Sequence, residues 1–596
     1  MSDSIDPQLL DYYQRELTWL RHAGSLFAER YPKVARRLEL SPGECPDPHV
    51  ERLLEGFALL AARLQRRLDD DYAEFSDALL EQLYPLAMRP LPSCAIVQFE
   101  PDPSKGNLNE GYPLPRDTPL FVTTEKGQSI HFRTTAAVHL WPLQVSEALL
   151  LGSDEAQALT GVVQARSALR LELRCLGKSQ WSTLGIDSLR VHLAASPIIN
   201  AGLYDLLGAH AIKVLAGAPG SVPEPLAGLP QIVGFASDQA LLPDEDGVHP
   251  GMRLLAEYFA FADKFGFFDL PLAGANSDNA SLYLYIVFDR APTSRLPLQA
   301  SDIALGCAPV INLFPRTSEP LRPDGTRSEY RLVADSHREN SVEIHSIRGM
   351  RAMTGQGVRK VPAYYGSQHG SDEPCYWHAR RVSGMTPNRL GTDLMVSLVD
   401  TRFDPSAESQ DYSLTAELLC TNRHLAQSLP AGTPLGFERP GPVAWARLRN
   451  PPSPQSLPRL DGESRWRLVS QLTLNHLSLV EGPQALDALR EILELHNLRD
   501  EASARRQIAG VSGLGCERVI AHLGEDAWRG WRNGLEVRLQ LDPHHFVGSS
   551  AVLFSGVLAQ FFSLYATANR FVRTVLVQSD KEVKTWQPQA GKPLAL

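Results

Sequence analysis

The chain has 596 residues, 43 % of them hydrophobic and 21 % charged, which excludes a mostly disordered or collagen-like polymer. At roughly 150 residues per domain the length suggests about four domains, each able to bury a core without disulfides or metals. Lys and Arg number 58 against 68 Asp and Glu, a net charge of −10, so the composition carries no electrostatic footprint for duplex DNA or RNA. The seven Cys are scattered and form no C-x-x-C pair, the usage of a reducing compartment. The opening MSDSIDPQLLDYYQREL lacks the basic and apolar regions of a secretory signal, and the expected location is the cytoplasm.

Residues 7–90 read as helical. Leu9, Leu10, Tyr13, Leu17, Leu20 and Phe27 recur near helical spacing until Tyr31-Pro32 interrupts them. Asp47-Pro48 is a helix start, with a carboxylate for the orphan N–H groups and Pro at the first helical position. Behind it Val50, Leu53, Leu54, Phe57, Leu60, Leu64 and Leu68 form an apolar stripe, and a third short helix is expected over 74–84. Asp69, Asp70 and Asp71, one turn from Arg63, Arg66 and Arg67, read as a solvated face rather than as glycosidase carboxylates.

From residue 94 the period falls to two. Segments 94–99, 120–124, 168–173 and 282–288 read as strands, with helical inserts at 198–211 and 252–260. Residues 305–480 are again strand-dominated, and the Pro-rich stretch 437–465 reads as an extended connector across a surface. A helix is expected at 483–498 and a clean strand at 535–541. The segment from Val552 to Ala566 is apolar nearly all round but shorter than the roughly 20 residues of a membrane span, so it must be buried on all faces. The expected fold class is α+β and multi-domain: a helical module at 1–90, an α+β domain at 91–300, a β-rich domain with its connector at 301–465, and a C-terminal α+β domain at 466–596 with its strand and apolar helix.

Chemical motifs are sparse. There is no G-x-S-x-G, P-loop, strand-following G-x-G-x-x-G or H-E-x-x-H. His369, Cys375 and His378 could be imagined around a metal, but one Cys is too few for the usual structural zinc site. His544 and His545 are adjacent, so on an extended chain they point to opposite faces. No catalytic residue, metal or cofactor is expected.

An ordered set of short motifs runs along the chain: Tyr13-Gln14-Arg15-Glu16-Leu17, Phe27-Ala28-Glu29-Arg30-Tyr31-Pro32, Asp47-Pro48-His49-Val50-Glu51-Arg52-Leu53-Leu54-Glu55-Gly56-Phe57, Glu257-Tyr258-Phe259-Ala260-Phe261 with Lys264-Phe265, Asn312-Leu313-Phe314, Cys420-Thr421-Asn422-Arg423, and Phe561-Phe562-Ser563-Leu564-Tyr565-Ala566. In this set the chain resembles the TssF family (also called VasA or ImpG), a baseplate subunit of bacterial type VI secretion systems. Trp586-Gln587-Pro588-Gln589 departs from the family pattern, with Gln589 where the family has Arg.

The resemblance implies a non-enzymatic, cytoplasmic assembly protein at the inner-membrane-docked baseplate, without direct membrane insertion. It implies TssG-, TssK- and TssE-like partners around a VgrG spike, and a wedge with two copies of this chain to one TssG. The candidate partner-facing residues are Val50, Leu53, Leu54, Phe57, Leu60 and Leu64, together with Phe554, Phe561, Phe562 and Tyr565. The competing readings are a baseplate protein of a phage-like contractile particle and a cell-wall hydrolase.

Overall fold

In the computed structural model, residues 7–31, 33, 48–177, 179–244, 248–277, 279–292, 294–324, 327–355, 357–365, 375–385, 390–400, 412–437, 441–472, 485–522, 530–566 and 570–590 are described, apart from the side chains of residues 7, 8, 11, 48, 50, 66–75, 400, 463, 471, 472 and 565. The chain divides into two compact units, Met1–Leu80 with Leu460–Ser470, and Glu81–Arg459 with Gln471–Leu596.

The first unit is helical. Helix Pro7–Arg30 ends before Pro32, and helix Pro48–Leu83 runs unbroken for 36 residues. The separate helix expected at 74–84 is therefore the end of this long one. No Gly or Pro lies between Leu68 and Glu74, and an acidic run alone does not break a helix. Arg21 on the first helix pairs with Glu51 on the second. Asp77 and Arg465, both nearly buried, are joined at 2.7 and 2.8 Å, which ties helix Gly462–Leu472 to the long helix.

The second unit contains a closed six-stranded antiparallel barrel. Its strands neighbour one another in the order Cys94–Pro101, Cys307–Ile311, Ser129–Thr134, Pro119–Thr123, Pro434–Phe437 and Val443–Leu448. Val97, Phe99, Phe132, Val310, Leu435 and Ala446 fill it. The barrel thus draws strands from both sides of residue 300. It also corrects the reading of 437–465 as a surface connector. Val443, Ala446 and Leu448 are core residues, because this short stretch alternates and closes the barrel.

Between Ile311 and Pro434 the chain leaves the barrel and builds a second β-domain. One sheet pairs Phe314–Thr317, Ser413–Thr421, Glu343–Thr354 and Gly357–Val361, and the other pairs Tyr330–Leu332, Thr392–Asp400 and Cys375–Ser383. The two sheets enclose one core, with Met350, Ala352, Val396, Leu414, Ala416 and Leu418 at its centre.

The largest core joins residues that are far apart in sequence. Strands Ser167–Cys175, Ala211–Gly217 and Ser281–Phe288 face it from an antiparallel sheet. The C-terminal strands Trp531–Leu541 and Phe571–Gln578 face it as well, and they are paired in parallel. Parallel neighbours need a crossover, and helix Ala551–Phe562 supplies it. That helix packs on strand Phe571–Gln578 on one side and on helices Pro197–Asp205 and Pro250–Ala260 on others, which is why its sequence is apolar all round. Gly251 lets the two helices touch: a Cβ there would stand 2.5 Å from the Gln560 carbonyl oxygen. Among the described residues no helix is long and apolar enough to cross a membrane.

Buried histidines, His192 and His496 among them, give this unit a pH signature. Burial pushes His192 down to about 3 and His496 to about 4. An imidazole whose folded pKa is depressed gives stability that is complete above its unfolded pKa of about 6.5 and is lost as pH falls below it. Going from pH 7.5 to 5.5, each histidine should remove about 1.4 kcal/mol. The drop in unfolding free energy should be smaller by that amount in His192→Phe, measured by denaturant titration at both pH values. An equal drop in both proteins would refute the assignment.

Candidate partner-binding surface

The apolar stripe of helix Pro48–Leu83 splits into two ridges. Leu53, Phe57, Leu60 and Leu64, spaced by four, three and four residues, are 73 %, 60 %, 59 % and 65 % exposed. Ala58 and Ala62 are fully buried, and Leu54 is half-buried on their side. At 100° per residue, residues 53 and 54 head different ridges, so the broad stripe serves two directions at once. The side chain of Val50 lies outside the described residues.

Helix Pro7–Arg30 adds Trp19 and Leu26, which are 63 % and 53 % exposed. They are seven apart and so share a face. Neither belongs to the apolar pattern Leu9, Leu10, Tyr13, Leu17, Leu20 and Phe27 read from the sequence, and their heptad spacing is the signal that marks the surface. Large apolar side chains exposed in a row along a helix are costly in water, and such patches mark sites that another chain covers.

The C-terminal candidates stand differently. Phe554, Phe561 and Phe562 are at most 2 % exposed and belong to the main core of their own chain. They are corrected here from partner-facing residues to core residues, because the crossover geometry surrounds the helix with its own sheet and its own helices. The Tyr565 side chain lies outside the described residues.

Among the described residues the candidate chemical groups do not come together as a site. His369 lies outside the described residues, and His378 sits at 3.9 Å from Glu81 with its ring edge-on to Tyr365. His545 Nδ1 lies 3.2 Å from the Arg506 carbonyl oxygen, and the Asp542 carboxylate accepts from the His544 amide as the cap of a short 3-10 turn. Among the described residues no group of three or more His, Cys, Asp or Glu is arranged to hold a metal ion. A cavity of about 170 Å³ opens between the barrel and the neighbouring sheets, lined by Gln98, Glu100, His139, Trp141, Arg190 and Arg449. Its arginines are committed: Arg190 is bidentate to Asp269 at 2.7 and 2.8 Å, and Arg449 donates to Gln98 and to the Ser301 carbonyl. Burial raises the Glu100 carboxyl above its ordinary value.

A surface of exposed helical ridges is one made to be joined to other chains, and the comparisons give that class a name. Residues 5–593 match the family model described as "Type VI secretion system, TssF", and the chain belongs to that family. It is 33 % identical, over 98 % of its own length and 99 % of the relative's, to "Type VI secretion system component TssF1" of Pseudomonas aeruginosa strain PAO1. A chain of the cryo-electron-microscopy structure of the type VI secretion system TssK-TssF-TssG baseplate subcomplex superimposes with a TM-score of 0.72 at 24 % identity, covering 90 % of this chain and 98 % of that one. A chain of the baseplate complex from the type VI secretion system superimposes with a TM-score of 0.60 at 22 % identity, covering 98 % and 99 %. At these identities the two structures speak for the fold.

Proposed function

We propose that this chain is a structural, non-catalytic subunit of a type VI secretion baseplate wedge. The observation that carries the reading is the end-to-end 33 % identity to a TssF1 component. The baseplate assignment is supported by the shared fold with chains of the TssK-TssF-TssG subcomplex and of a baseplate complex. The chain pairs, two copies to one, with a TssG-like subunit. It joins TssK- and TssE-like subunits around a VgrG spike, primes sheath and tube assembly, and works in the cytoplasm at the docked baseplate. Leu53, Phe57, Leu60 and Leu64 are its partner-facing ridge.

Co-expression with a TssG-like protein, followed by mass determination of the purified complex, tests this. The expected result is a stable complex with two copies of this chain per partner. A monomer that ignores the partner would overturn the wedge reading.

A further inference from the structure

The inserted β-domain is joined to the barrel by two crossings. The chain leaves the barrel through Asn312-Leu313 and comes back through Asn422-Arg423. These two asparagines, 110 residues apart, hold each other. The Asn422 backbone N–H donates to Asn312 Oδ1 at 2.7 Å, and Asn312 Nδ2 donates to Asn422 Oδ1 at 2.8 Å. Asn312 also reaches into the barrel, and Asn422 reaches to both sides of the neck. Asn312 Nδ2 donates to the His131 carbonyl of the barrel. Asn422 Oδ1 accepts from the His131 N–H, and Asn422 Nδ2 donates to the carbonyls of Ser129 in the barrel and Ser341 in the inserted domain. Two acceptances and two donations satisfy the full capacity of a side-chain amide. Both asparagines are essentially without solvent contact.

Arg423 completes the joint. It belongs to the returning crossing, yet its guanidinium lies inside the inserted domain. Nε donates to the Glu339 and Val342 carbonyls at 3.0 and 3.1 Å, and Nη1 donates to the Leu390 carbonyl at 3.0 Å and faces Glu343 at 3.7 Å. Glu343 also accepts from the Thr392 amide and from Gln455, which follows the last barrel strand. The Arg423 backbone is left-handed, with φ of 52°, an unfavourable conformation for a long side chain that these bonds must hold in place. Gly391 makes room for it: at φ of 126° it carries no Cβ, and a Cβ there would fall on the Arg423 guanidinium and 3.0 Å from the Glu343 carboxylate.

We propose that Asn312, Asn422 and Arg423 are positioning residues that lock the inserted domain, residues 314–421, in one orientation on the barrel. A two-crossing neck without such bonds is a hinge. With them it is a rigid joint, because every swing would strip buried amides and a guanidinium of partners that water cannot replace. A fixed angle is what a subunit needs if both of its β-domains are to meet neighbours at once. That last step rests on the assembly reading above, and the lock itself does not.

Spin labels on genetically encoded amino acids at the exposed positions Glu125 in the barrel and Val358 in the inserted domain report the joint directly in the full-length chain. The distance distribution should be narrow in the native chain and at least about twofold broader in Asn422→Ala and in Arg423→Gly, with both domains still melting cooperatively. Arg423→Gly is the discriminating variant. If residue 423 served only to fit a left-handed turn, glycine would keep the distribution narrow and leave stability unchanged or raised. Unchanged widths in both variants would overturn the lock. Asn312→Ser, which keeps part of the bonding, should broaden less, and equal collapse of both domains in all three variants would reassign the residues to folding. Co-purification with the TssG-like partner is scored separately. A broadened variant that still forms the complex would overturn the need for a fixed angle while leaving the lock standing.

Discussion

Glu257→Ala should lower the unfolding free energy by about 3–5 kcal/mol, the range expected when one partner of a buried ion pair is removed. Glu257 is fully buried on helix Pro250–Ala260, and one carboxylate oxygen accepts from the Leu241 and Leu242 amides at 2.9 Å each. The other bonds the Lys264 ammonium, which is itself 1 % exposed. Burial pushes Lys264 well below its ordinary value, toward the neutral form, while the ion-pair contact with Glu257 places a carboxylate where it favours the charged form. Alanine would strand an ammonium and two backbone donors at once. Glu257→Gln keeps an acceptor for the two amides and should cost less. Denaturant midpoints of the two variants check this, and Glu257→Ala within about 1 kcal/mol of the native chain would refute the arrangement.

The double substitution Phe57→Asp with Leu60→Asp should weaken binding of the TssG-like partner by more than about 100-fold while leaving the chain as stable as before. Both side chains are exposed in the free chain, so substitutions there should stay within about 0.5 kcal/mol for folding. Covered by a partner, each would bury apolar area worth roughly 1.5–3 kcal/mol, and a combined loss of about 3 kcal/mol exceeds two decades in Kd. Co-purification and titration calorimetry measure the first effect, and thermal melting measures the second. A variant that melts normally and binds normally would remove the ridge from the interface. One that unfolds would show that the ridge is covered within its own chain.

These two expectations also mark how far the sequence could be read. Periodicity placed the helices and most strands, because backbone hydrogen bonding and side-chain alternation are local. Helix Pro48–Leu83 runs on through the position where a separate short helix at 74–84 is expected, because no Gly or Pro between Leu68 and Glu74 ends it. Strand Val443–Leu448 was hidden among prolines, since the alternation that makes it a strand spans only six residues. The neck residues Asn312, Asn422 and Arg423 were visible as motifs, but their purpose was not, because each finds its partners in a segment remote in sequence.

The sequence by itself determined the family, the helical start, the β-rich middle and the need for the apolar segment from Val552 to be buried. Only the tertiary structure decided which apolar faces this chain covers for itself. Phe57 and Phe554 both sit on helical faces that call for cover, and neither local pattern says whether that cover comes from the same chain. The difference lies in what surrounds each helix. The parallel crossover encloses Phe554 between its own sheet and its own helices, while the outer ridge of helix Pro48–Leu83 is left to water or to another chain.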